Sequence, residues 1–392
     1  MNRIKIGILC LILPAMTTAV PTGAIAAMPK VGVEANTSFW VTLHEEVQNG
    51  LIQPGSDDEA ADTASGFNFK QGRVALSFAS PDGRVEGLVR LRLEERTDII
   101  DFWGAYHVAQ WLSLAIGQMK IPSTAEVLAR DHLTDFISRS TFGQNVGNYA
   151  LSRTPYISPT SSLMGVNSYN RDLGLAIKGI CKAGEELTFR YFLMVGNGIG
   201  SNNYVGGRES EEFLFTNRFG DFYYGLRLEA RLFDRLTLGV HGSLNRHDDV
   251  AFDARGPVVD FERSVWTTDM ALALPWNIRV AGFYGDGKMD DFDTTPYRFD
   301  YSGWGLWVLK GFFDDKLEIG VRFDRFTTEF QSDGVETTQD NWTFGANYRP
   351  MEYIRLQLNY LYKETDNPFE NDIDDNILYL NVQFLFERLL ME

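Results

Sequence analysis

Arginine side chains recur at alternate positions along many short segments of this chain. Between positions 84 and 94, Arg84, Arg90 and Arg92 share one phase of the alternation, while valine and leucine recur in the other phase. Later segments carry further arginines in the corresponding polar phase. Together they form a candidate basic ladder of Arg84, Arg90, Arg92, Arg190, Arg227, Arg231, Arg279, Arg322, Arg349 and Arg355. Guanidinium groups carry a fixed positive charge and several N–H donors, so rows of them attract small anions.

Acidic residues are distributed differently from these cations. The chain has 53 Asp and Glu residues against 36 Lys and Arg, which gives a formal net charge of −17. Acidic clusters fall between the alternating segments, at positions 57–59, 248–249, 290–293 and 374–375. We therefore expect the polar faces of the segments to be net basic although the chain is acidic. The alternative is that these charges pair across neighbouring strands and only keep the face hydrated.

Period-two alternation is typical of a β-strand whose two faces meet different surroundings. Sixteen segments show it, from the first at 38–47 to the last at 378–386. Short connections such as 233–235 alternate with long ones such as 50–66. Short turns at one end and long loops at the other indicate an all-β fold, a 16-stranded antiparallel transmembrane β-barrel. A barrel of that size leaves an aqueous bore.

The first 27 residues have the pattern of a secretory signal peptide. Arg3 and Lys5 precede an apolar run at 6–13, and a small-residue cleavage pattern ends at Ala26. We therefore predict a signal peptide over 1–27 and a barrel domain over 28–392. No later stretch has the length of apolar sequence that a membrane helix needs. The predicted location is the bacterial outer membrane.

Composition also bears on partners and chemistry. Without Arg3 and Lys5 the mature charge is 34 − 53 = −19, which argues against nucleic acid as a partner. Only Cys181 remains in the mature chain, so no intramolecular disulfide is expected. The histidines are scattered without metal-ligand spacing, and no nucleophile motif occurs. We expect no cofactor, no metal site and no enzymatic activity.

The connection at 120–170 is unusually long for a compact domain, and such loops are usually functional. Ser123 and Glu126 have capping-box spacing, and apolar residues then recur at helical spacing to position 136. We predict that this third long loop folds inward as a constriction loop. Its candidate pore-facing cations are Lys120, Arg130 and Arg139, with Glu126, Asp131 and Asp135 as opposing charges. An ordinary surface helix is the alternative.

Three segments resemble the phosphate-selective porin O/P family: GQMKIP at 117–122, FISRS at 136–140 and RDLGL at 171–175. The resemblance implies a 16-stranded homotrimeric outer-membrane channel for small anions. In that family a lysine cluster and an arginine ladder bind phosphate. Here Lys120 and Arg139 occupy motif positions, and no lysine cluster follows in the loop.

Three functions are consistent with this sequence. The favoured one is passive diffusion of small hydrophilic solutes through a porin, with anions, phosphate among them, preferred. The expected partners are small anionic or polar solutes, outer-membrane lipid and lipopolysaccharide, and two further copies of the chain. The first alternative is a barrel sheath that encloses a partner such as an electron-transfer cytochrome. The second is an outer-membrane hydrolase.

Overall fold

The computed structural model describes residues 30–44, 66–93, 98–130, 133–150, 170–198, 222–251, 258–292, 297–330, 334–366 and 373–391. Within these residues the chain forms one closed antiparallel barrel of sixteen strands. In chain order, β1 to β16 are Lys30–His44, Gly66–Ala79, Val85–Arg92, Asp98–Ala109, Leu112–Lys120, Arg171–Ala183, Leu187–Gly196, Tyr223–Leu232, Leu236–Ala251, Val258–Leu274, Ile278–Phe292, Tyr297–Phe312, Leu317–Phe330, Val335–Met351, Ile354–Asp366 and Ile373–Met391. The predicted signal peptide at 1–27 lies outside the described residues.

Every strand pairs with its neighbours in sequence, and β1 pairs with β16 in the register Phe39↔Val382. Closure in this way leaves no open sheet edge, which a chain in lipid requires because unpaired backbone groups find no water there. The predicted fold class, a 16-stranded antiparallel barrel, is confirmed.

The alternating pattern correctly separates the two faces of the wall. Ile116 on the outer face is 64% exposed, whereas Thr267 on the inner face is 0% exposed. Aromatic rings form a row on the outside, where Phe323 lies 5.0 Å from Trp304 and 4.9 Å from Trp342 between ring centroids. Such aromatic girdles mark the boundary between hydrocarbon and water.

Several strands extend further than the alternation predicts. β14 begins at Val335, whereas the pattern begins at Trp342. The added residues include Glu336 and Asp340, which lie on the same face of the strand as Trp342. This part of the strand extends beyond the membrane, so its outer face does not need apolar residues. For the same reason the acidic pairs at 248–249, 290–291 and 374–375 lie on strand ends and not in loops. The cluster at 57–59 lies outside the described residues.

The connection between β5 and β6 contains two short helices, α1 (Ala125–Leu128) and α2 (Thr141–Ala150). The prediction of one helix from 125 to 136 is wrong, because the first helix ends after one turn. Its N-cap is Thr124, whose side chain accepts a hydrogen bond from the amide of Val127, and not Ser123. Helix α2 has no clear signal in the sequence.

The loop folds into the barrel. The amide of Ile137 donates to Asn359 Oδ1 of β15 at 2.6 Å, although 222 residues separate them. On another side Arg130 forms an ion pair of 2.6 Å with Glu34 of β1. The predicted inward-folded third loop is therefore confirmed. Among the described residues, no helix is long and apolar enough to cross a bilayer.

Candidate functional site

Lys120 stands at the end of β5, directly before the loop. Its Nζ donates to the carbonyl oxygens of Val127, Leu128 and Ala129 at 2.8, 3.2 and 2.7 Å. These carbonyls belong to the C-terminal end of α1, where they lack helical partners and a cation is favourable. The ammonium therefore closes the helix, which explains why α1 has one turn. The structure places Lys120 as a loop brace and not as the predicted pore-facing charge.

Arg139 and Arg130 take different positions. Arg139 donates from Nε to the carbonyl oxygen of Glu126 and from Nη2 to that of Ala129, both at 3.1 Å, so it also braces α1. Arg130 instead reaches Glu34 across the bore, and its side chain remains 46% exposed. Among the three predicted constriction residues, Arg130 is thus the one that solute can approach most directly.

A chain of alternating charges connects this contact to the wall. Glu34 lies 4.0 Å from Arg90, Arg90 lies 2.7 Å from Asp101, and Asp101 lies 2.6 Å from Arg171. Arg92, further along β3, is also buried. The sequence prediction did not include Glu34, which precedes the first alternating segment. It also omitted Arg171 as a site residue, although Arg171 begins one of the three motifs.

Arg227 is a buried member of the predicted ladder. Its Nη1 donates to Asp269 at 2.6 Å and to the carbonyl oxygen of Ser123 at 2.8 Å. Glu229 lies 3.2 Å from Arg227 and 3.1 Å from Arg190, whose side chain is exposed. Arg227 therefore attaches the beginning of the loop to the wall, and Arg190 continues the same charge network towards solvent.

Arg322 holds the middle of the loop in a similar way. It donates to the carbonyl oxygen of Ser138 at 2.9 Å and pairs with Asp324 at 3.0 Å. Its guanidinium also lies 5.0 Å from the ring centroid of Phe136, within cation–π range. A further carboxylate, that of Glu126, lies 3.5 Å away. Four predicted site residues thus serve first to position the loop: Lys120, Arg139, Arg227 and Arg322.

A second group of cations keeps contact with solvent. Arg279 lies 2.9 Å from both Asp135 of the loop and Glu318 of β13, and Arg349 lies 3.2 Å from Glu318. Their side chains are 48% and 40% exposed. The buried Arg355 of β15 lies within electrostatic range of Arg349, Glu318 and Asp135. These three arginines lie near the short-turn end of the barrel. We name Arg279, Arg349 and Arg355 the lower arginine cluster.

Two ladder residues lie at the short-turn end of the barrel. Arg84 precedes β3 in an exposed turn and lies 3.8 Å from Asp82. Hydrogen bonds from the Ser80 hydroxyl and from the amide of Arg84 lower the pKa of Asp82 below its ordinary value. Arg231, near the end of β8, pairs at 3.1 Å with Asp234 in the turn between β8 and β9. Arg84 lies one residue before β3, where its carbonyl oxygen still accepts a hydrogen bond from the amide of His107 at 2.7 Å.

The resemblance to a family is also found beyond the loop. A model described as "Phosphate-selective porin O and P" matches residues 315–386, which cover β13 to β15 and much of β16. No curated protein matches the chain. Over these residues the chain is therefore similar to the phosphate-selective porin O/P family.

Several solved outer-membrane proteins have the same fold. The anion-selective porin from Comamonas acidovorans aligns with a TM-score of 0.60 and 9% identity, over 92% of this chain and 100% of that one. The outer-membrane channel DcaP of Acinetobacter baumannii gives 0.57 and 10%, over 92% and 100%. OmpT of Vibrio cholerae gives 0.59 and 9%, over 93% and 100%.

The sheath alternative is not favoured for this barrel. A protein enclosed by the barrel would need the bore, but the loop crosses it and is bound to the wall at Asp269, Asp324 and Asn359. Among the described residues, no group of three or more His, Cys, Asp or Glu is arranged to hold a metal ion.

Proposed function

We propose that this porin is a passive channel without enzymatic activity that favours small anions over small cations. The observation that carries the proposal is the lower arginine cluster. Arg279 and Arg349 pair with the carboxylates of Asp135 and Glu318 and remain solvent-exposed. The buried Arg355 adds a third positive charge within electrostatic range of the same two carboxylates. A net positive charge at the wall of a water-filled bore lowers the free energy of an anion there and raises that of a cation.

The other cations of the bore contribute less to this preference. The charges of Lys120 and Arg139 are directed at backbone carbonyls, and those of Arg227 and Arg322 lie against carboxylates. Paired charges largely cancel at the distance of a passing ion. Arg130 and Arg190 are also paired, with Glu34 and Glu229, but their side chains are exposed to the solvent. We therefore expect the lower arginine cluster, together with these two exposed arginines, to determine selectivity.

The solute class follows from this geometry and from the relatives. The family model is named for phosphate selectivity and one similar structure is titled anion-selective, which supports an anion preference. The loop has no lysine cluster, so we propose small inorganic and organic anions as a class, with phosphate as one member. No covalent step is needed, because a concentration gradient drives the flux.

We further propose how the chain reaches its working form. Residues 1–27 would direct export and be removed, which leaves a barrel of residues 28–392. The apolar outer face and its aromatic row would contact lipid and lipopolysaccharide. A homotrimer is proposed because one of the similar structures, OmpT of Vibrio cholerae, is described in a trimer form.

The test is the reversal potential of the purified porin in a planar bilayer under a potassium chloride gradient. We expect higher permeability for chloride than for potassium. The double variant R279Q/R349Q should shift the reversal potential towards the potassium equilibrium potential. R325Q is the matched control, because Arg325 is 46% exposed and paired with Asp340 at 2.6 Å, but on the outer face. A potassium preference in the wild type would overturn the proposal.

A further inference from the structure

Phe142, the second residue of α2, is seated in a gap in the barrel wall. Its side chain is 0% exposed. The gap is formed by Gly285 of β11 and Gly303 of β12, which face the bore. A Cβ atom added at Gly303 would lie 2.8 Å from two carbon atoms of Phe142, and one added at Gly285 would overlap the ring. The ring therefore fits only because both positions lack a side chain.

Aromatic side chains complete this socket. The ring centroid of Phe142 lies 5.5 Å from that of Phe283, and 6.3 Å from those of Tyr301 and Phe326. These separations lie within the range in which aromatic pairs attract one another. The socket is thus built from three neighbouring strands, β11 to β13, and has the shape of one phenyl ring.

Hydrogen bonds fix the backbone next to the ring. The amide of Thr141 donates to Asp324 Oδ1 at 2.9 Å, and the hydroxyl of Thr141 accepts from Asn341 and Gln339 at 2.8 and 2.9 Å. These contacts satisfy the first groups of α2, which have no partner within the helix. They determine where the helix begins on the wall, while the ring determines how deeply it sits.

Glycine gaps also lie under other parts of the loop. An added Cβ at Gly345 would lie 2.9 Å from the ring of Phe136, and one at Gly225 would lie 2.8 Å from Pro122. A glycine inside a strand weakens the strand but allows close approach of another group. Among the glycine gaps in the described part of the chain, the Phe142 gap combines two glycines with a surrounding set of aromatic rings.

We propose that Phe142 is a latch that sets the width of the pore by holding α2 against the wall between β11 and β13. The inference rests on the proposed function, passive conduction. It identifies Phe142 as the residue that determines the largest solute the pore admits. The wall itself does not depend on the latch, because the strand ladder from β10 to β14 is continuous without it. Loss of the ring should therefore free α2 without opening the barrel.

The primary test is F142A in planar bilayers and in liposome-swelling assays with uncharged sugars of increasing size. We expect the single-channel conductance to increase, with larger current fluctuations, and sugars that the wild type excludes to pass. G303A and G285A should give the same result by filling the socket. F323A is the control, because it removes a phenyl ring of the same strand group from the lipid side.

A disulfide lock between α2 and the wall distinguishes the loss of helix positioning from general damage to the barrel. Thr141 and Asn341 are in direct contact, so T141C/N341C in a C181S background should link α2 to β14. Oxidation of this pair in the F142A variant should restore the conductance and size limit of the wild type, and reduction should reverse that rescue. Heat-modifiable migration on gels reports whether each variant has a folded barrel.

The outcomes distinguish the latch from the channel. A folded wild type that conducts no ions would overturn the proposed function and the latch with it. Conductance and sugar size limit that are unchanged in F142A, or in G303A should F142A not fold, would overturn the latch alone. The same holds if F323A widens the pore equally, or if the oxidised lock gives no rescue.

Discussion

Arg322 and Asp324 lie two residues apart on β13, both face the bore, and their side chains pair at 3.0 Å while Arg322 also holds the carbonyl oxygen of Ser138. Asp324 in turn accepts the amide of Thr141 at the beginning of α2. One ion pair in the wall therefore fixes two points of the loop. Its geometry explains why the loop lies across the bore and not outside it.

Substitution of Arg322 should destabilise the barrel strongly. Arg322→Met leaves Asp324, which is buried, without its cation, and such uncompensated buried charges cost about 3–5 kcal/mol. The measurement is the free energy of unfolding in urea from detergent micelles. Arg325→Met on the same strand is the control, and we expect it to cost about 0–1 kcal/mol because that pair is exposed. Equal losses for the two variants would contradict the buried-pair argument.

A substitution of Lys120 tests whether this cation stabilises the loop or determines which ions pass. We expect Lys120→Met to lower the free energy of unfolding by about 1 kcal/mol, because the carbonyls at the end of α1 lose their cation. Its effect on the reversal potential should be smaller than that of Arg279→Gln. A larger selectivity change in Lys120→Met would restore the interpretation of Lys120 as a pore-facing residue.

The sequence predicted the barrel well for a physical reason. Lipid outside and water inside impose a two-residue period on each strand, so all sixteen strands could be found from their apolar faces. The inward loop could be predicted from its length. Ion-pair partners could not, because they depend on register: Arg90 and Asp101 become neighbours only through the β3–β4 pairing.

Two further errors have the same origin in tertiary contacts. Helix α1 ends early because Lys120, five residues before its first residue, reaches its last carbonyls. The importance of Gly285 and Gly303 was missed although both lie on strands. A glycine in the inward phase of a strand is a usable signal of close approach, but the sequence does not indicate which residue approaches.

Ser113 allows a test of the absence of enzymatic activity. Its Oγ lies 2.7 Å from His107 Nδ1, and His107 Nε2 lies 3.3 Å from Glu86. These are the residue types of a hydrolase triad, with the roles of the two ring nitrogens exchanged. However, Ser113 is buried within the β5–β6 ladder, and Glu86 is shared with Lys178. We expect no turnover of 4-nitrophenyl acetate by the wild type beyond that of Ser113→Ala. Serine-dependent hydrolysis would contradict a purely passive channel.

Glu34 should reduce the positive potential at the constriction, because its carboxylate lies 2.6 Å from Arg130 and 4.0 Å from Arg90. Neutralising it with Glu34→Gln removes one negative charge where solute passes and leaves Arg130, which is exposed, without that counter-charge. We therefore expect a reversal potential closer to the chloride equilibrium potential. Arg130→Gln should shift it in the opposite direction.

The salt dependence of these two shifts provides an internal check. Charges that face the aqueous bore are screened over a Debye length of about 10 Å at 0.1 M salt and about 3 Å at 1 M. Both shifts should therefore shrink as the mean salt concentration rises at a fixed gradient. Shifts of the same sign in Glu34→Gln and Arg130→Gln would indicate that the variants move the loop, and would contradict a direct effect of their charges on the passing ions.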